Sequence, residues 1–239
     1  MTELCLYQTV HVARGRARNV AAHAALLDAA SRALFRRSYA PDPARLAARI
    51  EALAAAERYP AGVSGFVRLE LTPEGGERLL AAGISLYDGY ALRSLSPAAV
   101  TLRYDPLCPE APTSAREAAE LLAARLAALR GAAAAVRCDA EERLLTADGA
   151  PLFAVRGHTV YTAPAPASVE GCLAREAVRA AGLTLREEPL RRRELPRAEE
   201  LFYADHRGIT ALSRCDGQPL MTLVAERVAE ALEGLFPKK

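Results

Sequence analysis

Three prolines stand within eight residues in "DPLCPEAP", residues 105–112. Proline fixes φ near about −65°, donates no backbone hydrogen bond and disfavours helix at the residue before it. Neither a helix nor a central strand can run through such a stretch. The chain must therefore build its structure on either side. The expected division is an N-terminal domain over 1–107, a linker at 108–112 and a C-terminal domain over 113–239.

Each side carries its own periodicity. Before the prolines, "LCLYQTVHV" reads as a strand, and "VAAHAALLDAASRALFRR" places apolar residues at helical spacing. "APDP" ends that helix and "ARLAARIEALAAAE" supplies a second one. "SGFVRLELT", the turn "PEGG" and "RLLAAGISLY" read as an antiparallel hairpin, and "AVTLRY" as a further strand. An α+β domain follows from this order. After the prolines, Ser114 and Glu117 have the spacing of a capping box and open a helix over 114–130. Short strands then alternate with tight turns, and "SVEGCLAREAVRAAG" is a loop leading into a helix, with Gly182 at its C-terminal end. A last helix closes the chain in "GQPLMTLVAERVAEALEGLF".

With 239 residues, 51% of them hydrophobic, there is enough apolar side chain for two modest cores. A net charge of +2 implies neither a nucleic-acid footprint nor a strongly acidic partner. The N-terminus reads as a strand rather than a leader, and no apolar run reaches the roughly 18–20 residues of a membrane span. A cytoplasmic protein is expected. Cys5, Cys108, Cys138, Cys172 and Cys215 show no CxxC spacing, which argues against a disulfide framework and a zinc site. His11, His23, His158 and His206 stand in no metal-binding spacing, and His23 reads as structural. No G-x-S-x-G, GxGxxG or P-loop is present. Gly171, at a loop-to-helix junction, could turn backbone N–H groups towards a phosphate.

The basic residues are unusual in kind. Of 31 Lys+Arg, only Lys238 and Lys239 are lysines, at the extreme C-terminus. A bias of Arg over Lys accounts for the trend. Its chemical consequence is that no amine is available in the interior of the sequence.

The order of segments resembles the class IV aminotransferase family, which includes branched-chain aminotransferases and aminodeoxychorismate lyases. The resemblance rests on "NVAAHAALLDAASRALF", "FVRLELTPEGG", "RLLTADGAPLFAVRGHTVYTAPAPASVEGCLAREAV" and "RAEELFYADHRGIT", and runs from about residue 4 to about 220. It implies an α/β (α+β) fold of the pyridoxal-phosphate (PLP) fold type IV. That fold has a small N-terminal α+β domain, a barrel-like C-terminal α/β domain, a cleft between them and a homodimeric assembly. Carried over position by position, Arg68 corresponds to the arginine of the phosphate site and Gly171 to the glycine of its loop. Cys172 and Leu173 follow where a hydroxyl is usual, and the family arginine falls on Ala174 or Arg175. Asp205 or His206 stands near the polar position of the later turn, with Gly208 and Thr210 behind it.

The catalytic positions of the resemblance are filled otherwise. Pro112 stands where the family carries its Schiff-base lysine, Thr146 where an acidic residue pairs with the pyridine nitrogen, and Pro151 where a small polar residue precedes "LF". The lysine supplies the imine and moves the proton between carbon centres. Arginine cannot replace it, because a pKa above about 12 leaves no free amine. The acid keeps the ring protonated as an electron sink, which threonine cannot do. The expectation is a degenerate member without catalytic residues and without a resident cofactor. PLP enters by resemblance alone and at most non-covalently, with a small anion as possible ligand and no nucleic acid or membrane as partner. Two alternatives stay open: a PLP-independent enzyme using Arg68, Asp205, His206 and Arg207, and a conventional PLP enzyme with its motifs placed differently.

Overall fold

Strand β1 (Leu6–Ala13) is the spine of the first of two units. The computed structural model describes residues 4–58, 62–164 and 168–236; Lys238 and Lys239 lie outside them. β1 pairs antiparallel with β2 (Arg16–Ala17) and with β3 (Gly65–Leu71), which pairs with β4 (Glu77–Ile84), giving the order β2-β1-β3-β4. Two helices, α1 (Val20–Leu34) and α2 (Pro43–Ala56), pack on this sheet. Leu27, Leu46 and Ile50 meet Leu6, Val10, Val67 and Leu69 in one buried cluster. α2 starts where the sequence signals it: Asp42 accepts the Arg45 N–H at 2.9 Å, and Pro43 takes the first helical position, where a missing N–H costs nothing. His23 is fully buried on α1 and its Nδ1 lies 2.9 Å from Gln8 Oε1, the structural role expected of it.

The first unit runs to Gly89 and takes back Cys108–Arg116. The proline-rich stretch is thus docked rather than free. The carbonyl of Pro112 accepts the Tyr7 N–H at 2.9 Å, and Thr113 bridges Leu6, so the segment lies along the free end of the β1 edge. Residues 90–107, expected with the N-terminal half, belong to the second unit. Their strand Ala98–Arg103 is paired there along both edges. The start of the next helix, α3 (Ser114–Leu129), also differs in detail. Thr113 Oγ1 accepts the Arg116 N–H at 3.0 Å, while the Ser114 hydroxyl accepts the Cys5 N–H at 3.1 Å. The cap sits one residue earlier because the hydroxyl of Ser114 is spent on β1's side of the unit.

The second unit is built from Tyr90–Leu107 and the chain from Glu117 onward. Its strands are β5 (Ala91–Leu92), β6 (Ala98–Arg103), β7 (Ala134–Cys138), β8 (Leu144–Ala147), β9 (Ala150–Arg156), β10 (Thr159–Thr162), β11 (Thr184–Arg186), β12 (Glu200–Asp205), β13 (Gly208–Ala211), β14 (Arg214–Cys215) and β15 (Gln218–Pro219). They form one mixed sheet, with the path β15-β14-β6-β7-β8-β9-β12-β13-β5 and with β10 and β11 branching from β9. Helices α4 (Val169–Ala180) and α5 (Leu223–Gly234) pack on each other and on this sheet.

The period of two is visible in the burial. Phe153 and Val155 of β9, with Phe202 and Ala204 of β12, enter one cluster with Val178 and Val228 of the helices. Leu152, Ala154, Leu201 and Tyr203 enter a second cluster with Val136, Leu144 and Leu212. A sheet buried on both faces explains why these strands read as nearly continuous apolar runs. Among the described residues, no helix is long and apolar enough to cross a membrane.

Candidate functional site

The hairpin of β8 and β9 turns on Asp148 (φ 46°) and Gly149 (φ 78°). Two central residues with positive φ make the tight two-residue turn whose twist matches paired strands. The turn sets Ala147 opposite Ala150 and Thr146 opposite Pro151. Two positions singled out by sequence, Thr146 and Pro151, are therefore cross-strand neighbours. Thr146 is buried and so is Pro151, and neither side chain can ionise.

The turn also places a carboxylate that sequence reading passed over. Asp148 accepts the Ala135 N–H at 3.0 Å through Oδ1 and the Tyr203 hydroxyl at 3.2 Å through Oδ2. Burial pushes its pKa up, against those hydrogen bonds and the charge of Arg207. Tyr203 lies on β12 opposite Thr210 of β13. The Thr210 hydroxyl in turn receives Arg93 Nη1 at 3.4 Å. At the end of the same hairpin, Asp205 holds Arg207: the Arg207 backbone N–H donates to Oδ1 at 2.8 Å, Nε to Oδ2 at 2.8 Å, and Nη2 to Oδ2 as well. Burial alone would raise the Asp205 carboxyl, but the charges of His206 and Arg207 and the Arg207 hydrogen bonds hold it below its ordinary value. Burial lowers His206, opposed by Asp205 and reinforced by Arg207 and Arg93. Two carboxyl groups of one site are thus driven in opposite directions, Asp148 towards holding its proton and Asp205 towards losing it.

Gly208 is needed for a different reason. Its φ is +118°, and a Cβ there would stand 2.4 Å from the Ala91 carbonyl oxygen. The glycine lets β5 pair alongside β13.

Helix α4 begins at Ser168, whose hydroxyl accepts the Gly171 N–H at 3.1 Å. Gly171 is therefore in the first turn of the helix. A Cβ on it would meet Pro151 Cγ at 2.8 Å, Ser168 Cβ at 3.2 Å and Arg175 Nη1 at 3.3 Å. The next N–H, of Cys172, donates to the Ser168 carbonyl at 3.0 Å, and the Cys172 thiol is exposed. Between the alternatives Ala174 and Arg175, only Arg175 reaches this end. Its guanidinium donates to the carbonyls of Gly171 at 2.9 Å and Ala163 at 2.7 Å, with Glu187 at 3.6 Å. Glu170, in the first turn, is buried; desolvation pushes its pKa up to about 8, its own backbone N–H pulls it down and Asp205 adds to the rise.

Arg68 belongs to the first unit. Its Nε donates to Glu70 Oε1 at 2.8 Å, and its guanidinium carbon lies 3.8 Å from the centre of the Tyr7 ring. Tyr7 is also the residue whose N–H meets Pro112, so the unit gathers Arg68 and Pro112 around one tyrosine.

A pyridoxal phosphate would need an amine for its aldehyde, an acid for its ring nitrogen and unspent donors for its phosphate. The position expected to hold the amine is Pro112, whose carbonyl completes a strand edge. The position expected to hold the acid is Thr146. At α4 the Gly171 and Cys172 N–H groups are bonded within the helix terminus, and no hydroxyl follows them. These residues do not fit the cofactor. Sequence reading missed Asp148, Tyr203, Arg93 and Glu170. The Asp-Gly dipeptide at 148–149 was a hairpin signal that could have pointed to the first; no local signal marked the others, which strand pairing and helix packing bring in.

The family model described as amino-transferase class IV matches residues 5–205. No curated protein matches the chain. Among solved structures, the chain is similar to a branched-chain aminotransferase from the thermophilic archaeon Thermoproteus uzoniensis, crystallised with norvaline. The two are 16% identical, with a TM-score of 0.80 over 96% of this chain and 84% of that one. It is also similar to a fold IV transaminase from Curtobacterium pusillum, 20% identical, with a TM-score of 0.79 over 97% and 84% of the two chains. A PLP-bound hypothetical aminotransferase from Mycobacterium tuberculosis is 21% identical, with a TM-score of 0.78 over 96% and 88%. At such identities the likeness shows the mixed α/β fold of these enzymes.

Proposed function

Since residues 5–205 make this chain a member of the amino-transferase class IV family, we propose that it is one that works without a lysine imine. It holds no covalent pyridoxal cofactor and neither transaminates nor acts as a lyase by that route. One observation carries the reading: no lysine stands anywhere between residues 1 and 237, so no amine can reach an aldehyde from the family position. Pro112, Thr146 and Pro151 support it, because each fills a catalytic position with a group unable to ionise. The α-amino terminus and the two terminal lysines are the remaining amines of the chain.

In place of that chemistry, the second unit carries a half-buried polar cluster of Asp148, Tyr203, Asp205, Arg207 and Thr210. Its role is to hold a small polar ligand or to shape the fold around one. A homodimer belongs to the same proposal. Leu121, Leu122, Leu126 and Leu129 of α3 are exposed and give self-association an apolar surface. A cytoplasmic location goes with it, supported by free thiols at Cys5, Cys138 and Cys215.

The test is spectroscopic. Purified protein mixed with PLP should show no transaminase or lyase turnover, and any band at about 410–430 nm fixed by borohydride should map to the α-amino group or to Lys238 and Lys239. PLP-dependent turnover by the purified chain refutes the proposal.

A further inference from the structure

The N-terminus of a helix attracts anions because its first N–H groups lack intrahelical partners and its dipole is positive there. In this chain α4 meets that demand from within. Ser168 takes the Gly171 N–H at 3.1 Å. Glu170 is buried in the first turn of the same helix, only 7% exposed. Pro151 comes up against Gly171 so closely that a single added Cβ would stand 2.8 Å from its Cγ. The nearest cation is committed too, since Arg175 donates to two carbonyls at 2.9 and 2.7 Å.

At α5 the demand is met by a carboxylate. There the buried Glu200 carboxylate accepts the N–H groups of Val224 at 2.8 Å and Ala225 at 2.9 Å. A glutamate of the chain does at that end what an external anion does at an open one. The α5 terminus is thus closed by an internal carboxylate. At α4 the Ser168 hydroxyl caps the first turn, and the buried Glu170 and the Pro151 ring crowd it.

We infer that Glu170 and Pro151 form a built-in plug that closes the N-terminus of α4 to phosphate monoesters, so that the unit is complete without an anionic ligand there. This deepens the proposal that the chain does without PLP, and it rests on that proposal for its meaning. Its physical content is separate. The plug concerns phosphate and backbone N–H groups, whereas the missing imine concerns an aldehyde and an amine.

Inorganic phosphate distinguishes the two, because it has no aldehyde. Thermal unfolding and calorimetric titration of the full chain with phosphate should show no saturable binding, and Tm should not move at about 10 mM. Glu170→Ala and Pro151→Ala each remove one part of the plug. Glu170→Ala should acquire a phosphate-dependent rise in Tm of about 3–6 °C at that concentration, as for a millimolar site. Glu170→Gln, which keeps the shape, should stay unresponsive and serves as the folded control. Saturable 1:1 phosphate binding by the unaltered chain overturns the inference whatever the variants do. So does a folded Glu170→Ala and Pro151→Ala pair that binds phosphate no better than the parent. PLP-dependent turnover in the absence of phosphate binding sinks the lysine-free function and leaves the plug standing.

Discussion

Pro151 Cγ lies 2.8 Å from the place a Cβ on Gly171 would take, so the ring of one residue fixes the identity of the other. Pro151 is the second residue of β9 and Gly171 lies in the first turn of α4, and their contact locks the helix start against the hairpin. Real Cβ contacts are not made at that distance, and Pro151 cannot swing away because its ring is closed on the backbone.

Gly171→Ala should therefore destabilise the protein by about 1–3 kcal/mol through overpacking. Combining it with Pro151→Ala should recover part of that loss, since the clash needs both groups. Urea unfolding of the two single variants and the double variant measures the coupling. Strict additivity would show that the contact carries no energy.

Glu170 gives the stability a pH dependence of definite sign. Its carboxyl has an ordinary value of 4.5 and is pushed up to about 8 in the fold, chiefly by burial. The folded chain then binds the proton more tightly than the unfolded one. The contribution is complete below pH 4.5 and is lost as pH rises towards about 8. Glu170→Gln should flatten this fall, gaining on the order of a few kcal/mol relative to the parent above pH 8. The facing carboxylate Asp205, held low, works at the other end of the scale, with stability lost as acid protonates it. Tm measured from pH 4 to 9 on both proteins checks the window.

At α5, Glu200→Gln keeps the volume and replaces the charge. One carboxylate satisfying two buried N–H groups is worth more than a neutral cap, so a loss of about 1–3 kcal/mol is expected. The loss should appear as faster hydrogen exchange at Val224 and Ala225 before global unfolding. Unchanged exchange there would contradict the capping role.

Arg68 makes a contrasting case. It lies over Tyr7 and bonds Glu70, which also pairs with Arg78 at 3.2 Å. Arg68→Ala should cost about 1–2 kcal/mol of unfolding free energy, mostly from lost packing over the ring and an under-compensated buried carboxylate. With α4 plugged, it should leave phosphate binding as it was, namely undetectable by calorimetry. A phosphate site abolished by Arg68→Ala would mean that the arginine serves a ligand.

Much of the architecture is legible locally. Asp42 and Pro43 announce α2, Asp-Gly announces the turn at 148–149, and the alternation of Phe153 and Leu152 follows the pleat of a strand buried on both faces. What is not legible is which unit a segment joins. "AVTLRY" has the same pattern whichever sheet it enters, and it joins the second because β7 and β14 offer their edges to β6. The prolines of 105–112 interrupt regular structure, and Pro109 and Pro112 fall in the first unit, where the Pro112 carbonyl accepts the Tyr7 N–H.

The sequence by itself determined what the chain lacks. Without an interior lysine no local geometry can create an amine, and no tertiary contact is needed to establish that loss. It also determined the family, through the order of segments. Only the tertiary structure decided how Thr146, Pro151, Glu170 and Gly171 come together. That Thr146 faces Pro151, that Pro151 then presses on Gly171 and that Glu170 is buried at the start of α4 depend on strand register and helix placement. Those are set by packing between segments far apart in the chain, which no window of sequence contains.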